Sequence, residues 1–187
     1  REMQDIEGVA MTLSTLSVSW LATGRPDAAL AAEREALQLF RQAGHRQGEA
    51  IGLQHLALIH LHQGRLAEAL AFNGQALERA AASNFLEVRG ECERIQAEIV
   101  HAAGDASAAQ QHLQRALQLC REAGDRSGEA RALGALGRHA VAQDDLDAGR
   151  LQLGQALQAF QAFEMRADMV EGLEDHADLA EACGVPH

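Results

Sequence analysis

Apolar residues recur along this chain at helical spacing, in blocks of a few turns divided by single turn-forming residues. Ala50, Leu53, Leu56, Ala57 and His60 share one face of such a block, and Gly64 follows where a left-handed residue would end it. Leu66, Ala69, Leu70, Ala76 and Leu77 share a face of the next block, which Asn84 ends. Gly44 and Gly124 stand in the register of Asn84, and Asn is the non-glycine residue that best tolerates positive φ. Start signals agree with these stops. Asp105, Asp125 and Asp145 sit where an N-cap should stand, and Pro26 falls on a first helical position, where its missing N–H costs nothing. The pattern predicts helices over about 5–22, 26–43, 46–62, 66–83, 86–102, 106–123, 126–142, 146–163 and 166–183.

The helices come in pairs with a fixed period. Ala-Leu recurs at Ala36-Leu37, Ala76-Leu77, Ala116-Leu117 and Ala156-Leu157, 40 residues apart each time. Gly24, Gly64, Gly104, Asp144 and Gly184 keep the same beat. Self-similarity at this period marks a repeat array. Small residues return where helices must approach closely: Ser17, Ala57, Ala97 and Gly137 in first helices, Ala29, Ala69, Ala109 and Gly149 in second ones. A further likeness spans two units, since FRQAGHRQGEA at 40–50 and CREAGDRSGEA at 120–130 are near copies. The expected organisation is one repeat domain over 1–187, with repeats at about 5–44, 45–84, 85–124 and 125–164 and a terminal helix at 165–184. The chain begins with Arg1 and runs straight into helical pattern, so it reads as a piece of a longer protein.

Composition narrows the interior and the partners. Aromatic residues make up only 3% of the chain, with no Tyr, so the interior must be Ala and Leu at close helix contacts. A net charge of −11 argues against nucleic acid, whose phosphates need a basic stripe, and favours basic or apolar partners. No run of 18 apolar residues is present, so no membrane span is expected. Cys92, Cys120 and Cys183 are odd in number and far apart, which fits a reduced, cytoplasmic compartment. Cys120 stands in the register of Phe40, Ala80 and Phe160, a core slot. His55, His60 and His62 share one helix, but no Cys or carboxylate completes a metal ligand set, and packed or solvated imidazoles are the expectation. No Walker A loop, nucleophile elbow, zinc-protease motif or dinucleotide fingerprint occurs, so no enzyme, catalytic residue, cofactor or metal is expected.

The repeat unit resembles the tetratricopeptide repeat in a 40-residue form. The family's first-helix pattern of bulky, Leu, small and bulky residues matches Leu13, Leu16, Ser17 and Trp20, then Leu53, Leu56, Ala57 and His60, then Leu133, Leu136, Gly137 and Ala140. Its Gly-to-Ala turn spacing matches Gly24 to Ala29, Gly64 to Ala69 and Gly104 to Ala109. His60, Val100 and Ala140 depart from the usual Tyr, Gln96 departs from Leu, and Asp144 and Gly149 weaken the fourth turn. The Ala-, Arg- and Gln-rich wording and the last stretch, DMVEGLEDHADLAEACG, also resemble repeat regions of large bacterial ATP-dependent transcription regulators.

The resemblance implies an all-α, right-handed superhelical solenoid of antiparallel helix pairs, with first helices lining a concave face. It places Met11, Ser14, Val18, Leu21, Ile51, Gln54, Leu58, Leu61 and His62 on that face in the first two repeats. In the next two it places Glu91, Arg94, Glu98, His101, Arg131 and Arg138 there. The first half is apolar and the second charged. An apolar face of this kind marks a groove for an apolar helix or peptide, a self-association surface, or a surface covered by another part of the parent protein. Glu91 and Glu98 share registers with Arg131 and Arg138, which reads as an inter-repeat ion-pair ladder or as arginines that grasp a partner's carboxylates. Arg94 can also pair with Glu91 or Glu98 on its own helix. The functional expectation is a non-catalytic protein- or peptide-binding scaffold within a larger bacterial regulatory protein. A homodimerisation module and a small-ligand-sensing region of a transcription regulator are the alternatives.

Overall fold

In the computed structural model, residues 2–162 and 166–183 are described. Among them lie nine helices: α1 Glu2–Ala22, α2 Pro26–Ala43, α3 Arg46–His62, α4 Leu66–Ala82, α5 Leu86–Ala102, α6 Ala106–Ala123, α7 Arg126–Ala142, α8 Leu146–Ala162 and α9 Arg166–Ala182. No strand occurs among the described residues. Gly184 and the expected repeat junction at 163–165 lie outside them.

The helix ends show why the sequence was legible. Gly24, Gly44, Gly64, Asn84, Gly104, Gly124 and Asp144 all adopt positive φ, a left-handed residue every 20 positions. Each intra-pair turn closes with the same backbone bond, running back from the residue after the left-handed one. Arg25 donates to Trp20 at 2.8 Å, Arg65 to His60 at 2.9 Å, Asp105 to Val100 at 3.0 Å and Asp145 to Ala140 at 2.9 Å. The acidic caps also form: the side chains of Asp105, Asp125 and Asp145 accept from the backbone N–H three residues on, at 2.9, 2.9 and 3.2 Å. His45 caps α3 in the same way through Nδ1 at 2.8 Å, a role that its position before the Gly48-Glu49-Ala50 motif did not announce.

Contacts divide the chain into two compact units, Arg1–Ile99 and Val100–His187. In the first, α1 packs on α2, α2 on α3 and α3 on α4. Its main core holds Ala29, Leu30, Leu37, Ala50, Leu53, Leu56 and Ile59, with Trp20, Leu21, Ile51 and Phe72 packed against it. A second cluster joins Ala57 and Ala69 to Ile95 and Ile99 of α5. In the second unit, α6 packs on α7, α7 on α8 and α8 on α9 around Ala130, Leu133, Ala156 and Phe160. Cys120 is buried there, as its register suggested.

Small residues set the helix spacing. A β-carbon added at Gly137 would meet the Leu153 side chain at 2.6 Å and its backbone nitrogen at 3.0 Å. Gly149 in turn lies under Val141. These glycines let α7 and α8 approach where earlier pairs use alanine. Gly137→Ala is therefore expected to destabilise the fold by about 1–3 kcal/mol through overpacking. Gly154, on the same helix pair, has nothing within 4 Å of an added β-carbon. Gly154→Ala should stabilise by about 0.5–1 kcal/mol, from helix propensity alone. Urea denaturation of the two variants checks both signs at once.

Candidate functional site

The predicted first-helix surface is present in parts. In the first unit Met11 and Val18, two turns apart on α1, are 60% and 42% exposed. Leu21 and Ile51 are half-buried against the main core, and Leu58 and Leu61 are half-buried against the cluster that includes Ile95 and Ile99. These four serve packing first and offer only an edge to solvent. His62 is exposed, whereas Gln54 is buried. Val9 and Leu16, which the register did not place on this surface, are also exposed on α1, at 51% and 40%.

The charged positions are engaged within the chain. Arg94 bonds Glu91 through Nε at 3.0 Å and also pairs with Glu98, so one guanidinium holds two carboxylates of its own helix. The pairing along α5 expected for Arg94 thus forms. In the second unit Arg138 donates to Asp175 of α9 at 2.9 Å. Arg131 is half-buried on α7. His101 is exposed, and its ring meets the edge of His139 with centroids 6.0 Å apart. Burial, and then the neighbouring His101, push the His139 pKa down.

Ser14, also placed on the groove by register, turns inward and is 6% exposed. Its hydroxyl donates to Glu33 Oε1 at 3.0 Å, and His55 Nδ1 lies 3.2 Å from Glu33 Oε2 and 3.1 Å from Ser14 Oγ. Glu33 itself is fully buried. With Nδ1 carrying the proton, the bonds are mutually consistent: Ser14 donates to Glu33, and the single His55 Nδ1–H is shared between Glu33 and Ser14. The arrangement is not that of a hydrolytic triad, because the same ring nitrogen faces both the serine and the acid. It is a buried polar tie between α1, α2 and α3.

Sequence reasoning missed this tie, although a signal existed. Glu33 occupies the register of Asn73, Leu113 and Leu153, all of them buried. Polar residues in a slot that later units fill with Leu must bring partners with them. Asn73 does so, donating through Nδ2 to the Cys92 carbonyl and to Gln96 Oε1, each at 3.0 Å. Gln96, the departure from the family's Leu, is thereby explained. The histidines follow the same logic: His55 goes to Glu33, and His60 stacks on Phe72 with centroids 5.3 Å apart and planes 9° apart. Among the described residues, no three His, Cys, Asp or Glu side chains converge on a metal-sized site. Cys92 is fully buried, and burial pushes its thiol pKa far up, which leaves it without thiolate reactivity. No helix among the described residues is long and apolar enough to cross a membrane.

Comparison with known proteins agrees with this architecture. The tetratricopeptide-repeat family model matches residues 9–43 and 52–83. No curated protein sequence matches the chain. Among solved structures, BtubC (BKLC) from P. vanneervenii superposes with a TM-score of 0.65 at 15% identity, over 99% of this chain and 84% of that one. A P. anserina protein with nearly identical TPR-like repeats, described as a kinesin light chain, superposes with a TM-score of 0.58 at 13% identity, over 94% of this chain and 96% of that one. Residues 9–43 and 52–83 thus match the tetratricopeptide repeat by sequence, and the chain shares the fold of the TPR-like repeats in the second of these structures.

Proposed function

We propose that the chain is a non-catalytic scaffold that binds a protein or peptide through its first helices, within a larger cytoplasmic regulatory protein of bacterial type. The observation that carries this reading is the pair Met11 and Val18: large apolar side chains, exposed, and aligned on one stripe of α1. Exposed apolar stripes of this kind supply the anchors of helix-in-groove recognition. Half-buried Leu58 and Leu61 add apolar edge from α3, and His62 adds a polar position beside them. In the second unit Arg131 and Arg138 are the polar selectors. Arg138 already holds a carboxylate, that of Asp175, so an acidic group on a partner would compete for a guanidinium oriented to receive one.

A second reading is favoured by Val9 and Leu16, which form another exposed apolar stripe on α1. Two stripes on one helix suit association of two copies of the chain through α1. One experiment separates the readings. The chain is sized by light scattering across a wide concentration range, and a peptide selected on it from a displayed library is then titrated. Met11→Glu with Val18→Glu should weaken the peptide at least about tenfold, the usual consequence of losing a central anchor. Unchanged affinity in this variant and in Arg138→Glu would refute the first-helix surface. A stable dimer that Val9→Glu with Leu16→Glu returns to monomer would establish the second reading instead.

A further inference from the structure

The two near-copy segments, 40–50 and 120–130, build the same cleft twice, once in each unit. In the first unit Arg41 at the end of α2 bonds Glu49 at the start of α3 through Nε at 3.0 Å. In the second unit Arg121 at the end of α6 bonds Glu129 at the start of α7 through Nε at 2.8 Å. Gly48 and Gly128 are glycines for the same reason: a β-carbon there would run into Phe40 or into Cys120 and the capping residue, so the carboxylate-bearing turn lies tight against the preceding helix. Beside each ion pair a cleft opens toward the next second helix.

The walls of the two clefts differ where α4 and α8 supply them. In the first unit α4 contributes Gln75, Glu78 and Arg79, and Arg79 reaches across to Glu49 at 3.3 Å. The cleft holds about 320 Å³. In the second unit the same registers read Gln155, Gln158 and Ala159, and the cleft grows to about 540 Å³. Glu129 takes its second cation from Arg126, on its own helix, at 3.3 Å. The side chains of Arg121 and Arg126 are 56% and 71% exposed. Among the described residues lining it, the first cleft, with Glu49, carries two arginines and two glutamates and is neutral. The second carries two arginines and one glutamate, and has one cation in surplus.

We propose that the cleft between α6, α7 and α8 receives an acidic side chain from a peptide partner. Two guanidiniums, steadied by Glu129, present N–H groups to a carboxylate, and the amides of Gln155 and Gln158 add neutral donors from the facing wall. Leu133 and Ala159 form an apolar floor for the methylenes of a Glu or for a flanking aliphatic residue. One surplus charge matches one carboxylate. A dense polyanion is disfavoured by the −11 of the whole chain, which acts over a longer range than the contact itself. This site does not depend on the first-helix surface of α1 and α3.

The test uses the full chain and the blocked peptide Ala-Leu-Glu-Leu-Ala, with its Gln-containing counterpart as control. Binding is read from the arginine Nε–H signals by 15N NMR. The Glu peptide should shift Arg121 and Arg126, and the Gln peptide should bind about tenfold more weakly, as for loss of a charge-assisted bond. Arg126→Gln, at an exposed position, should weaken binding about fivefold or more on the same basis, and Arg46→Gln, its register mate at the start of α3, should leave it unchanged. Gln158→Glu, which restores the first cleft's charge, should abolish binding. Equal response to both peptides, or indifference to Arg126→Gln and Gln158→Glu, overturns the proposal. Inorganic phosphate shifting the same signals at lower concentration than the peptide overturns it in favour of a free-anion site. Val18→Glu should leave this binding intact, which keeps the outcome separate from that of the first-helix surface.

Discussion

His55→Ala should destabilise the first unit by about 2–4 kcal/mol, more than any surface change in the chain. The reason lies in what stays behind. Glu33 is fully buried and keeps only Ser14 when the imidazole is removed. Removing one partner of a buried pair costs several kcal/mol, because the other is left desolvated and unpaired. The loss stays toward the lower end because the His55 side chain is 19% exposed, so water entering at its edge can recover part of it. Glu33→Gln keeps shape and hydrogen bonding, and should cost less than His55→Ala. In the double variant Glu33→Leu with His55→Leu the polar slot becomes apolar, as it is at Leu113 and Leu153, and much of the loss should return. Urea denaturation of the three proteins decides the matter: a double variant no more stable than His55→Ala would show that the tie acts through packing rather than through an unpaired carboxylate.

The same slot shows what pattern reading reaches and where it stops. Helix ends were legible because each is set by one residue whose local chemistry is its own reason, as with Asn84 and Asp144 at positive φ or Pro26 at the start of α2. Two ends fall one residue short of expectation, α4 at Ala82 and α9 at Ala182. The small-residue positions were legible because burial there repeats with the period: Ala57, Ala69 and Ala109 are all within 1% of complete burial. Glu33 was not legible. It is followed by Arg34 and Glu35, and its partners come from 19 residues before and 22 after, a separation with no local signature. Only comparison down the register, Glu33 to Asn73 to Leu113 to Leu153, exposes it. The candidate surface was legible to the same degree. Met11 and Val18 remain exposed among the described residues of the first unit, whereas Leu58 and Leu61 are drawn half inside by Ile95 and Ile99 from α5, the first helix of the following repeat. Register gives a side chain's direction; the bulk of the next repeat decides how much of it remains outside.

His60→Phe should raise the stability of the first unit by about 1–3 kcal/mol at neutral pH, and by more in mild acid. His60 is 3% exposed, and neither ring nitrogen has a hydrogen-bond partner among the described residues, so a polar ring occupies a slot whose register mate on α1 is Trp20. Phe removes the unsatisfied donor and acceptor and keeps the stack on Phe72. His60→Leu, closer in volume, separates the polar gain from any overpacking by the larger ring. The pH dependence has a definite sign. Burial first, and then Arg65, hold the His60 pKa below its ordinary 6.5. The unfolded chain therefore takes up the proton before the folded one does. The stability associated with a neutral His60 is complete above about pH 6.5, and is lost as pH falls below that value toward the folded pKa. His139 acts in the same direction in the second unit. Wild type should accordingly lose melting temperature between pH 7 and pH 5, and His60→Phe should lose less, with the remainder carried by His139. Equal acid losses in the two proteins would show that the imidazole of His60 is reached by water in the folded state and does not resist protonation.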